Sequence, residues 1–206
     1  MRLESAYVPI AEPSPWWLKG LAIFMAVLTA FMILGSISAI ASPVIVDRLL
    51  PDNYEEIEPF PEDGSSEEKA EWEENSVFWG ELVEYYDEVM GLMEMQGFHS
   101  AILALVGLMC TITLWKGERE LGVKLMGFWI LINFLGGAVL FWMFTRIGIM
   151  PDFATGDREV EMINTSLIEN LTLVIGWGQL IFCNALLVAV LALVSAKSKP
   201  EIVFQE

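Results

Sequence analysis

The stretch from Gly20 to Val46 does most to decide what this chain can fold into. It holds no Asp, Glu, Lys, Arg or His, and Leu, Ile, Val, Phe, Met and Ala dominate it. About 20 apolar helical residues cross the hydrocarbon core of a bilayer. At about 1.5 Å per residue this run reaches roughly 40 Å as a helix, enough to span a membrane with slack for tilt. Ala39-Ile40-Ala41 has the small-residue form of a signal-peptidase site. The apolar run before it is longer than that of a cleaved signal, so a retained helix is expected.

Three further runs lack Asp, Glu, Lys and Arg: Met95 to Trp115, Leu125 to Thr145 and Asn170 to Ala196. Hydrophobic residues make up 55% of the chain and mean hydropathy is +0.53, too apolar for an ordinary soluble domain. The fold expected is an all-α, polytopic membrane protein. Its four-helix transmembrane bundle carries an acidic, partly helical extracytoplasmic loop between helices 1 and 2. In order, residues 1–17 are a head, 18–46 the first span, 47–97 the acidic loop, 98–115 the second span and 116–124 a tight turn. Residues 125–145 are the third span, 146–169 a second loop, 170–196 the fourth span and 197–206 a tail.

The net charge of −17 is unevenly placed. Residues 47–97 hold seventeen acids and only two bases, Arg48 and Lys69. The head, the 116–124 turn and the tail carry seven bases, against four for the two longer loops. By the positive-inside bias both termini are cytoplasmic and the chain sits in the cell membrane. Acids divide more sharply, with 22 of the 28 on the other side. A general salt adaptation would acidify both faces, so the pattern marks one outward acidic surface. Acid without clustered Lys and Arg excludes nucleic acid as a partner.

Within the acidic loop, Pro51, Pro59 and Pro61 mark irregular chain up to Gly64. Ser65 and Glu68 then form the S-x-x-E capping box of a helix. Trp72, Trp79, Tyr86 and Met93 recur every seven residues, with Phe78, Leu82, Tyr85, Val89 and Leu92 beside them. This predicts an amphipathic helix over about 66–96 with an aromatic and an acidic face. It can run straight into the second span as one rod, with Gly91 and Gly97 the expected bends. The rings of Trp72, Phe78, Trp79, Tyr85 and Tyr86 are too large a patch to leave in water. They fold back on their own chain, or meet a protein partner or a second copy through this loop.

Motifs for chemistry are scarce. One histidine, His99, excludes zinc sites built on several His, and no H-E-x-x-H, G-x-S-x-G, P-loop or dinucleotide fingerprint occurs. His99 and nearby Glu94 are the only acid–base candidates. Glu67, Glu68, Glu71 and Glu74 share a helix face that would attract divalent ions weakly, or a basic partner, but the loop lacks the spacing of a calcium cage. Cys110 and Cys183 both lie in apolar runs and read as packing residues. No catalytic, cofactor or metal residue is assigned and no cofactor is expected.

Inside the spans the polar side chains are uncharged: Asn133, Gln179 and Asn184 stand out as contacts between helices. A pump or coupled transporter would place an ionisable group there. Small residues four apart, namely Ala22, Ala26 and Ala30, then Gly35 and Ala39, Asn133 and Gly137, and Ala185 and Ala189, read as close-packing faces. Asn164-Thr165-Ser166 and Asn170-Leu171-Thr172 fit the glycosylation pattern, while Ser166 and Glu169 fit a capping box for the fourth helix. The topology is similar in outline to claudin-like four-span proteins. The cysteine pair and tryptophan motif that those carry in the first outer loop are absent here, so no family is assigned.

The functional expectation is a non-enzymatic membrane protein that contacts lipid and acts as a structural or accessory subunit. Its acidic and aromatic outer surface would meet a partner. The alternative is an oligomeric, channel-like or cation-handling protein, its acid loop gathering cations at a pore lined by Asn133, Gln179 and Asn184.

Overall fold

The computed structural model describes residues 16–148 and 165–197, and these are all-helical. The head before Trp16, the 149–164 connection with Asn164, and the tail after Lys197 lie outside the described residues, as do the side chains of Ser166 and Glu169. Four long helices, α1 (Trp16–Leu49), α2 (Ser66–Lys116), α3 (Arg119–Ile147) and α4 (Thr165–Lys197), are joined at the α1–α2 connection by a single 3₁₀ turn, Tyr54–Glu56. All four are long and apolar enough to cross a membrane. Their exposed sides are covered with Ile, Leu, Val and Phe, the surface that contact with lipid calls for.

α2 begins and ends on local chemistry. The Ser65 side chain accepts from the Glu68 N–H and the Glu68 carboxylate accepts from the Ser65 N–H at 2.7 Å, a reciprocal cap. At the other end Gly117 takes φ 85°, and its N–H and that of Glu118 close onto the Leu114 and Thr113 carbonyls. Only glycine adopts this left-handed conformation without strain, so the chain reverses into α3 there. Between these caps α2 runs 51 residues without a break, about 75 Å at the usual rise. Gly91 and Gly97, expected as bends, are ordinary helical positions. Gly97 serves as a contact instead: a Cβ there would come within 2.8 Å of Ile40.

The helices pack antiparallel and serially, α1 on α2, α2 on α3 and α3 on α4. No comparable packing joins α4 to α1, so the four do not close into a symmetric bundle. The core lies where α1, α2 and α3 meet: Leu18, Leu21, Ala22 and Met25 against Leu103, Cys110 and Leu114, closed by Met126, Trp129 and Ile130. Leu187, Leu191 and Val194 of α4 lie along its flank. Trp129 is 2% exposed, and its indole N–H donates to the Leu103 carbonyl at 2.9 Å. Such a donor must be satisfied within the protein, because lipid offers no acceptor. Gly107 lets α1 and α3 reach α2 here: a Cβ on it would run into the Thr29 hydroxyl and lie 3.3 Å from the Trp129 indole nitrogen.

Only some of the expected small-residue faces are interfaces. Ala22 and Ala39 are buried, and Gly137 admits Leu180. Ala26, Ala30, Ala185 and Ala189 face outward. Four residues turn a helix about 40° past a full circle, so a row of small residues at that spacing rotates off the contact line within two steps.

Candidate functional site

The acidic end of the molecule is built from the last turns of α1, the 50–65 connection and the first half of α2. Pro51, Pro59 and Pro61 keep the connection out of regular structure, and two indoles fix it to the helix. Trp72 donates from Nε1 to the Glu58 carbonyl at 2.7 Å. Trp79 donates to the Pro51 carbonyl at 3.0 Å. The Trp72 ring also packs on Tyr54, with centroids 5.7 Å apart, and edge-on to Phe60 at 5.1 Å. These contacts satisfy the indole N–H groups and remove much ring area from water.

The five aromatic candidates therefore have different surroundings. Trp72 and Trp79 are half-buried under their own connection. Tyr85 and Tyr86 pack together with centroids 6.1 Å apart, and the Tyr85 hydroxyl donates to the Gly148 carbonyl at the end of α3. Tyr86 faces the end of α1. Phe78 is 37% exposed. The structure does not gather these rings into one open patch, because the connection lies across the stripe.

What remains open at this end is carboxylate. Glu67, Glu71, Glu73, Glu74, Glu84, Asp87, Glu88 and Glu94 are exposed along α2. Among the described residues the salt bridge formed is Lys124–Glu120, at the opposite end of the molecule. The bases near the acids are used otherwise: Lys69 donates to the Glu62 carbonyl and lies over the Phe60 ring, and the Arg146 guanidinium lies over Trp142. The Tyr54 hydroxyl donates to Glu58 at 2.6 Å, and that bond, with some burial and the negative charge beside it, holds the phenol above its ordinary pKa. Among the described residues no group of three or more His, Cys, Asp or Glu side chains converges on one point in the way a metal ion needs.

A cleft of about 280 Å³ opens between the end of α1 and α2, half-open to its surroundings. Pro43, Pro51, Tyr86 and Met90 give it apolar walls, with Asp47, Asp87 and Glu94 among the acids around it. The sequence reading counted these acids without seeing that they share a groove. The signal was present in the spacing of Val83, Asp87, Met90 and Glu94, which lie at alternating steps of four and three on one helix face.

Within the spans, Asn133 of α3 donates from Nδ2 to Asn184 Oδ1 of α4 at 3.0 Å, and Asn184 donates onward to the Leu180 carbonyl at 2.8 Å. Gln179 is not brought to this pair and lies on the exposed side of α4. His99 points to α3, with Nε2 3.2 Å from the Ile132 carbonyl, while Glu94 lines the cleft on the α1 side. Five residues turn a helix through about 140° beyond a full circle, so the two acid–base candidates face different helices.

No protein-family model, curated protein or solved structure matches this chain.

Proposed function

We propose that this is a non-enzymatic, multi-pass membrane protein that serves as an accessory subunit. Its acidic end, held on the extracytoplasmic side of the cell membrane with both termini in the cytoplasm, receives a basic protein partner. The observation that supports this most is the row of exposed carboxylates on α2 with no ion pair among the described residues. An unbroken, capped helix holds them in fixed register, so little ordering is lost when a matching basic surface docks. Such a field speeds and orients association more than it adds affinity. The rings brace the connection, and the recognition element in this reading is the acid itself.

Site-specific photocrosslinking in intact cells tests this. A crosslinker at Glu74 should capture one defined protein. The yield should fall with rising salt and after joint Glu67→Gln, Glu71→Gln and Glu74→Gln substitution. A crosslinker at Ile33, on the lipid-exposed side of α1, should not capture that protein. Recovery of the chain alone, with no crosslink at Glu74 and unchanged behaviour of the neutralised variant in cells, would remove the proposal. Labelling of Glu67→Cys from outside intact cells tests the orientation independently.

A further inference from the structure

α4 is the least held of the four helices. It packs on α3, and only 6% of its most apolar window is buried within the chain. Its α3-facing side carries Trp177, Leu180, Asn184, Leu187 and Leu191. On the other side Ile175, Gln179, Phe182, Leu186, Ala189 and Leu193 follow one another at alternating steps of four and three, and all are exposed. Apolar side chains on that face suit lipid. Gln179 does not, for its amide has two N–H donors and a carbonyl acceptor to satisfy, and it has no hydrogen-bond partner among the described residues.

Its depth makes that deficit matter. Asn184 is bonded to Asn133 and Leu180 lies against Gly137, which sets Gln179 level with Ala138. Ala138 lies seven residues inside the charge-free run that ends at Thr145, about 10 Å at helical rise. A glutamine side chain is too short to carry its amide that distance to the polar boundary.

We propose that this face of α4 is where a second copy of the chain docks, with the two Gln179 amides hydrogen-bonded across the seam. Three features select a second copy over other occupants. Two copies inserted in the same direction present Gln179 at the same depth on a two-fold axis. An amide is both donor and acceptor, so it complements its own twin, as a single polar residue does in the seam of a coiled coil. α3 separates α4 from the carboxylates of α2, so a pair formed through α4 keeps the two acidic ends apart. The inference stands apart from the basic partner proposed above, which would meet the other side of the molecule.

The test uses the full chain in native membranes and in mild detergent. The chain should run as a dimer by light scattering. Gln179→Leu should weaken dimerisation about 3- to 30-fold, the range set by interhelical hydrogen bonds in membranes, and Gln179→Asn should retain most of it. In a Cys183→Ser chain, Phe182→Cys should form a disulfide-linked dimer on oxidation, and Ile181→Cys, a third of a turn away, should not. All these side chains are exposed, so helix content should not change. A monomer at all concentrations, showing lipid over Gln179, would overturn the proposal. So would a dimer indifferent to Gln179→Leu, one that links through Ile181→Cys, or a Phe182→Cys crosslink made only to a different protein.

Discussion

The imidazole of His99 occupies the space that a Cβ on Gly136 would fill. α2 and α3 approach this closely only because Gly136 has no side chain, and the ring uses that proximity to reach the Ile132 carbonyl, with its Nε2 at 3.2 Å. A carbonyl oxygen has no proton to give, so Nε2 is the donor. The histidine that the sequence offers as an acid–base candidate is thus a packing and hydrogen-bonding element between two helices.

Gly136→Ala should force His99 out of its seat and cost about 1–3 kcal/mol, the usual range for overpacking a close-packed contact. His99→Ala in the same chain should recover part of the loss by making room for the methyl group. Thermal unfolding in detergent of the two single variants and the double variant measures this. Equal stability of Gly136→Ala and the parent would show that the two helices are not held at this distance.

The Asn133–Asn184 pair should behave as a coupled unit. Either single leucine substitution leaves the other amide short of a partner in an apolar layer, and should cost about 0.6–2 kcal/mol. The joint Asn133→Leu and Asn184→Leu variant should lose less than the sum of the two, because no orphaned amide remains. A double-mutant cycle on reversible unfolding in mixed micelles reads the coupling. Strict additivity would mean that the hydrogen bond contributes nothing.

Trp72 and Trp79 each tie the 50–65 connection to α2 through an indole N–H and, for Trp72, through two ring contacts. A neutral hydrogen bond contributes about 1 kcal/mol and an aromatic contact about as much. Trp72→Ala should therefore raise local opening of the connection about thirtyfold. Limited proteolysis between Pro51 and Gly64 should accelerate accordingly, with the spans remaining protected. Trp72→Phe should lie between, keeping the ring and losing the donor.

Ser65→Ala removes the acceptor for the Glu68 N–H. Caps of this kind contribute about 0.5–2 kcal/mol, and the loss should fall on the first turns of α2 alone. Faster amide exchange confined to residues near Glu67–Ala70, with unchanged thermal stability of the spans, is the expected result. Uniformly faster exchange along α2 would show that the capped end and the spanning part unfold together.

The four helices are legible in the sequence because charge is excluded from lipid whatever the packing, and the start of α2 is legible because its cap is made by residues three apart. The sites were less so. Trp72 and Trp79 read as an open aromatic stripe because the period of a helix shows which side is apolar, and says nothing of what lies across it. Asn133, Gln179 and Asn184 read alike as interhelical contacts. Two of them face each other, and the third is turned the other way by its place on the helix.

The amino-acid order alone determined that four apolar rods form, where the acid lies along the chain, and where α2 starts and stops. These depend on local geometry and on the cost of placing charge in hydrocarbon. Tertiary structure decided which helix touches which, that the rings serve their own connection, that His99 meets α3, and that α4 keeps an uncovered face. In lipid the inward and outward sides of a helix are both apolar, so hydrophobicity cannot rank them. Close fit, as at Gly97, Gly107 and Gly136, and the pairing of a few polar groups make that choice.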